Sequence, residues 1–302
     1  MKQGGEKAGG FTIVEVLIVL VVTSALLVSA VLLVGGRQNR TQFMTGINSF
    51  QQELQQVINE TASGYYPSRG DFVCSGNATG APTFTSVGAG SAQQGTNGGC
   101  IFLGKVVAFG TDTDKSKLGI VPIVGNQTNG SSASLTVASS NPRAIYPATG
   151  EGAGYVPSIS VLDVMQNGLT VAQSNTAAGC PASPNGIAGM CYISSLGVKT
   201  PTGAIAFLAG DSTGNLAATD GNNLQSGTQQ LSLYGVKSAS PNKSLNDTSQ
   251  AVGNYIGSLT SNLEVAQSAS ICIASATTKQ SGLITIDSGL NVTLQVKDGS
   301  TC

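Results

Sequence analysis

From Phe11 to Val34 the chain reads FTIVEVLIVLVVTSALLVSAVLLV, 24 residues with one ionised side chain, Glu15. Wound as a helix, this run is about 36 Å long, enough to cross the hydrocarbon core of a bilayer. It is too long for the apolar core of an ordinary secretory signal, which runs to about 7–15 residues. Everything else in the chain is therefore expected to hang from a membrane-seeking rod. Lys2 and Lys7 precede the run and favour a cytoplasmic N-terminus, while Arg37 and Arg40 beyond it dilute that bias. An unpaired acid costs about 2.5–3.5 kcal/mol at mid-bilayer and less near the interface, so Glu15 calls for a partner.

The remaining composition narrows the chemistry. The chain has no histidine among 302 residues. That removes the commonest general base, the His-dependent nucleophile arrangements and most zinc sites. No phosphate loop or dinucleotide loop is present, and the glycines of "GEGAG" at 150–154 read as a turn. Asp112 and Asp114 in "TDTDKSK" have a calcium-loop spacing but lack the glycine and bidentate glutamate that complete one. No enzyme, metal or cofactor is expected. Charged residues make up 10%, and the formal balance of −1 has no basic excess that advertises nucleic acid. Cys74, Cys100, Cys180, Cys191, Cys272 and Cys302 contain no C-x-x-C and are even in number, which points to disulfides in an oxidising space. Pairing of sequence neighbours gives Cys74–Cys100, Cys180–Cys191 and Cys272–Cys302.

After Arg37 the pattern becomes amphipathic. Phe43, Ile47, Phe50, Leu54, Val57, Ile58 and Thr61 recur at spacings of three and four, predicting a continuing helix with one apolar stripe. Gly64 and Pro67 supply its stop. A short parallel coiled coil is the alternative use of that stripe. From residue 64 onward, short β-rich runs alternate with Gly, Pro and Asn: "CIFLGKVVAF", "KLGIVPIV", "ISVLDVM", "AIAFLA", "QLSLYGV", then "ASICIAS", "GLITID" and "NVTLQVK". The last three predict an antiparallel meander stapled by Cys272 and Cys302. The Pro- and Gly-rich stretch from Cys180 to Pro201 reads as an insertion or subdomain boundary. The expected class is α+β, a long N-terminal helix packed on a mainly antiparallel β head.

A Lys-containing leader ending in Gly10, then "FTIVE", then some twenty apolar residues resembles the class III signal of type IV prepilins and pseudopilins. The specific match covers about Gly9–Val34. The resemblance implies a 1–10 leader, an 11–36 transmembrane and assembly helix, a 37–63 amphipathic helix and a 64–302 disulfide-containing head. It implies cleavage between Gly10 and Phe11 by a prepilin peptidase and N-methylation of Phe11. Glu15 then meets the Phe11 amine of a neighbouring subunit and sets the axial step of a helical homo-oligomer. An assembly platform and separate ATPases would drive the filament, from a single-pass precursor in the bacterial cytoplasmic membrane to the cell surface. A minor tip pilin acting as adhesin or DNA receptor and a pseudopilin of a type II secretion system are the alternatives. The apolar run departs from many family members in having no internal Pro or Gly; Gly35-Gly36 lies just past its end, where it could loosen or finish the helix.

Overall fold

The computed structural model describes residues 12–64, 72–77, 80, 82–86, 99–109, 118–127, 135–144, 160–162, 169–171, 180, 189–211, 213–216, 230–237, 263–275, 279–299 and 302. The Gly10–Phe11 junction, the Asp112/Asp114 stretch and the "GEGAG" turn lie outside these residues. Two compact units form, Met1–Gln42 and Phe43–Cys302.

Helix α1 runs Ile13–Ala62 and contributes to both. The backbone stays helical through Gly35-Gly36, so the pair does not end the helix. An interior glycine costs about 1 kcal/mol against alanine, too little to stop a helix whose flanks favour it. The stop comes at Gly64, whose φ of 66° is the left-handed conformation that closes a helix, its N–H reaching back to the Thr61 carbonyl at 3.0 Å.

In the second unit the chain folds antiparallel throughout its described pairings. Strands β1 (Phe72–Ser75) and β2 (Thr83–Ser86) form a separate two-stranded ribbon. The large sheet holds β3 (Cys100–Phe109), β4 (Leu118–Asn126), β5 (Arg143–Ala144), β6 (Ser160–Leu162), β7 (Leu169–Val171), β8 (Met190–Ser194), β9 (Lys199–Pro201), β10 (Ala204–Ala209), β11 (Leu231–Val236), β12 (Leu263–Ser275), β13 (Gln280–Asp287) and β14 (Val292–Asp298). Its main path runs β14-β13-β12-β11-β10-β3-β4-β5. The C-terminal meander is present as β12-β13-β14. Strand β12 pairs with β13 along one side and with β8 along the other. The Cys180–Pro201 stretch is therefore no subdomain boundary: β8 carries the apolar run "MCYIS", and Tyr192 within it is fully buried in the main core. Of its glycines and prolines, Gly189 and Gly197 sit at turns and Pro201 lies in β9.

Two cores lie on the two faces of the sheet. On one, the expected stripe of α1 is buried, from Phe43 and Ile47 to Val57 and Ile58, against Ile205, Phe207, Leu233, Ile271, Ile273, Ile284 and Ile286. The stripe is spent on the sheet, which removes the coiled-coil alternative. On the other face Ile101, Leu103, Val106, Val121, Ala206, Leu208 and Tyr234 pack with Leu135, Val137 and Leu216. Strand β10 shows why "AIAFLA" lacks alternation: Ile205 and Phe207 serve one core, Ala204, Ala206 and Leu208 the other. Strand β14 lies at the sheet edge and does alternate, with Val292, Leu294 and Val296 turned to the helix-side core. Gly235 in β11 leaves room for the Tyr192 ring, which a Cβ there would strike.

One charge enters the helix–sheet layer. Lys105 of β3 is buried and its ammonium bonds the Glu60 carboxylate on α1, which also accepts from Gln56 Nε2 at 2.7 Å. The Lys105 side chain is 7% exposed and that of Glu60 30%. Removing the anion strands a buried cation, whereas removing the cation leaves a carboxylate that water can reach. Glu60→Ala is therefore expected to cost about 2–3 kcal/mol and Lys105→Met, which refills the space, about 1 kcal/mol, by urea unfolding of the detergent-solubilised chain. Burial raises the Glu60 pKa, but the Lys105 and Gln56 bonds outweigh it and the net shift is downward from 4.5. The pair's contribution is thus complete above that unfolded value and is lost as pH falls through the lower folded one. Glu53 runs the other way: burial, then the charge of Glu60, raise its pKa despite Lys105, so its protonation favours the fold on acidification.

Candidate functional site

The N-terminal end of α1 carries Glu15, while Gly10 and Phe11 lie outside the described residues. Ile13–Ala30 is long and apolar enough to cross a membrane, and none of that window is buried within the molecule. Its large side chains stand open, from Val16 at 48% to Ile13 at 82%. A helix apolar all round has no polar face to offer water, so its surface belongs against lipid or against other helices.

The hydroxyls in this stretch are already satisfied. Thr23 Oγ1 donates to the Val19 carbonyl at 2.8 Å, Ser24 Oγ to Val21 at 2.9 Å and Ser29 Oγ to Ala25 at 2.9 Å. Such back-bonding hides each hydroxyl on its own helix. Glu15 is the one charged group among Ile13–Ala30.

Its carboxylate is not idle in the single chain. Thr12 N donates to Glu15 Oε2 at 3.4 Å, and Glu15 N donates to Thr12 Oγ1 at 3.3 Å. Thr12 and Glu15 stand at the positions of a reciprocal capping box, each side chain meeting the other's backbone N–H. The bonds are long, and among the described residues none is recorded to the second carboxylate oxygen. The sequence reading missed this role although "TIVE" carries the signal, a Thr followed three residues later by Glu at the mouth of an apolar run. Cleavage ahead of Phe11 would leave both members of the box in place.

Compared with family models, with curated proteins and with solved structures, the chain matches none.

The six cysteines are all paired: Cys74–Cys100, Cys180–Cys191 and Cys272–Cys302. These are the pairs that joining sequence neighbours gives. Cys74–Cys100 ties the β1–β2 ribbon to the large sheet. Asn126 reinforces that tie, accepting from Asn77 N at 2.7 Å and donating to the Gly80 carbonyl at 2.8 Å, while Arg143 Nη1 donates to the Pro82 carbonyl at 2.9 Å. Cys272–Cys302 fastens the far end of the meander to β12. Among the described residues no cluster of three or more Cys, Asp or Glu has the disposition of a metal site.

Proposed function

We propose that this chain is the precursor of a type IV pilin-like subunit. Inserted through its apolar helix with the head outside, it is cut between Gly10 and Phe11 by a prepilin peptidase, methylated at Phe11 and packed helix to helix into a surface filament. Glu15 gives its carboxylate to the new Phe11 amine of the adjacent subunit, and that pairing fixes the step. The observation that carries this reading is an unburied apolar helix with one carboxylate near its start, attached to a head that has already covered its own stripe. Among the described residues nothing covers the Ile13–Ala30 rod, and it has one charge with which to choose a register against a copy of itself. Three disulfides in the head support an oxidising surface location. Work on the filament falls to separate ATPases.

The size of the head, 14 strands among its described residues, favours a second reading as a scarce tip subunit that binds a target. Abundance in sheared fibres separates the two. The test of the main reading is N-terminal mass spectrometry on fibres sheared from the cell surface. The expected first residue is Phe11 carrying one methyl group. A mature chain that still begins at Met1, or is trimmed elsewhere, overturns it.

A further inference from the structure

One carboxylate on α1 has no use within the chain. Between residues 38 and 63 the helix carries glutamine at 38, 42, 51, 52, 55 and 56, and charge at Arg40, Glu53 and Glu60 alone. Glu60 is accounted for by Lys105. Glu53 is partly buried and makes no hydrogen bond or ion pair among the described residues. Burial and then the charge of Glu60 push its pKa up despite Lys105, so a carboxylate is costly where it stands. Glutamine, used on either side of it, would fill the same space without that cost.

Arg40 is the complementary case, exposed and likewise without a hydrogen bond or ion pair among the described residues. The two charges cannot meet in one molecule. Thirteen residues of α-helix hold them about 20 Å apart along the axis and about 220° apart around it. Opposite charges on nearly opposite sides of a rod suit a head-to-tail contact, in which one patch of a copy meets a different patch of the next and the pattern repeats without closing. The outward surface of the same helix suits a close neighbour. Thr45, Asn48, Ser49, Gln52 and Asn59 are exposed and uncharged. An approaching helix there desolvates no ion, and the amides and hydroxyls can bond copies of themselves.

We propose that the amphipathic half of α1 forms a second contact between copies of this chain, in which Arg40 of one subunit pairs with Glu53 of another. The inference rests on the filament reading above and adds to it. Glu15 and Phe11 lie four residues apart, Arg40 and Glu53 thirteen, so the two pairs engage different neighbours and tie the filament in two directions.

The test reverses the charges in the full-length chain and reads filament yield in sheared fractions. Arg40→Glu and Glu53→Arg each set like charges face to face and should cut yield at least tenfold. Combined, they should restore at least half of it. Because the two positions are too far apart to meet within one molecule, that recovery can come only from contact between copies. Arg40→Glu with Asn48→Arg restores net charge at the wrong place and should stay low. Glu53→Gln keeps the test independent of any folding defect in Glu53→Arg. Its yield should fall, with a urea midpoint for the detergent-solubilised chain equal to or above that of the unaltered protein. The proposal is overturned by normal yield from Arg40→Glu or Glu53→Gln, or by recovery with Asn48→Arg equal to that of the double reversal. No recovery in a double reversal that folds normally also overturns it, as does a lower midpoint in Glu53→Gln, which would give the carboxylate a use inside the chain. Failure of the filament reading itself looks different: the unaltered chain then yields no fibres, or fibres that do not begin at methylated Phe11.

Discussion

Glu15→Ala is expected to leave membrane insertion and cleavage intact and to abolish surface filaments. The variant loses two things at once, a helix cap and a charge, so it needs a companion. Loss of the cap alone costs about 1 kcal/mol. That is small beside the burial provided by the apolar run, and insertion should even gain from removal of an acid from the edge of the membrane. The charge acts differently. Within a dry bundle of helices an amine and a carboxylate attract far more strongly than in water, but each is costly there without the other. A subunit without Glu15 would therefore leave its neighbour's Phe11 cation unmatched at every step of the filament. Glu15→Gln separates the two roles. Glutamine serves at the third position of a capping box as glutamate does, so the Thr12 bonds persist while the charge is gone. Filament yield in sheared fractions should fall to background in both variants, with processed precursor still recovered in the membrane. Normal yield from Glu15→Gln would reduce Glu15 to a cap and remove the register mechanism.

What the sequence revealed and what it hid follow from the range of each interaction. The stripe from Phe43 to Thr61 was legible because helical periodicity is local, but the pattern by itself does not say whether a sheet or a second helix covers it. The meander β12-β13-β14 was legible for the same reason, each strand pairing with its sequence neighbour. The order of the sheet was not. Strand β10 lies between β3 and β11, and no spacing in the chain announces a partner about a hundred residues away. Strand β8 was hidden because Pro184, Gly186 and Gly189 precede it in the sequence and read as an insertion or boundary, yet Met190 and Tyr192 place it in the core. Lys105 lies in an ordinary strand pattern, and its burial makes sense only once Glu60 is brought above it by the docking of α1. Tyr234 offers still less: a buried hydroxyl without a partner among the described residues reflects the chain at Gly210 and Gly214 packed over it, not "LSLYGV". The capping box of Thr12 and Glu15 was the avoidable miss, since its whole signal fits within four residues.

The Cys272–Cys302 bridge is expected to contribute more to the stability of the head than either of the others. The sequence separations of the three bridges are 30, 26 and 11 residues. On chain entropy alone they differ little, at about 3.6, 3.5 and 2.8 kcal/mol respectively. Their positions separate them further. Cys272 is wholly buried in β12, the strand that β8 and β13 flank on its two sides, and its own N–H donates to the Gly189 carbonyl at 2.7 Å. Cys302 packs against it at the end of the chain, so the bridge closes the meander whose edge is β14. Without it, β14 is held by its ladder to β13, by the Gln51 Nε2 bond to the Val292 carbonyl at 3.0 Å and by the packing of Val292, Leu294 and Val296. Edge strands held only so are the first to fray. Cys272→Ala/Cys302→Ala should therefore lose about 4 kcal/mol, a large part of the 5–15 kcal/mol typical of a folded domain. Cys180→Ala/Cys191→Ala should lose about 3 kcal/mol by the same urea titration. Hydrogen exchange should localise the first loss to amides of Val292–Asp298. Equal protection there in the altered and unaltered chains would place the stabilisation elsewhere than in closure of the meander.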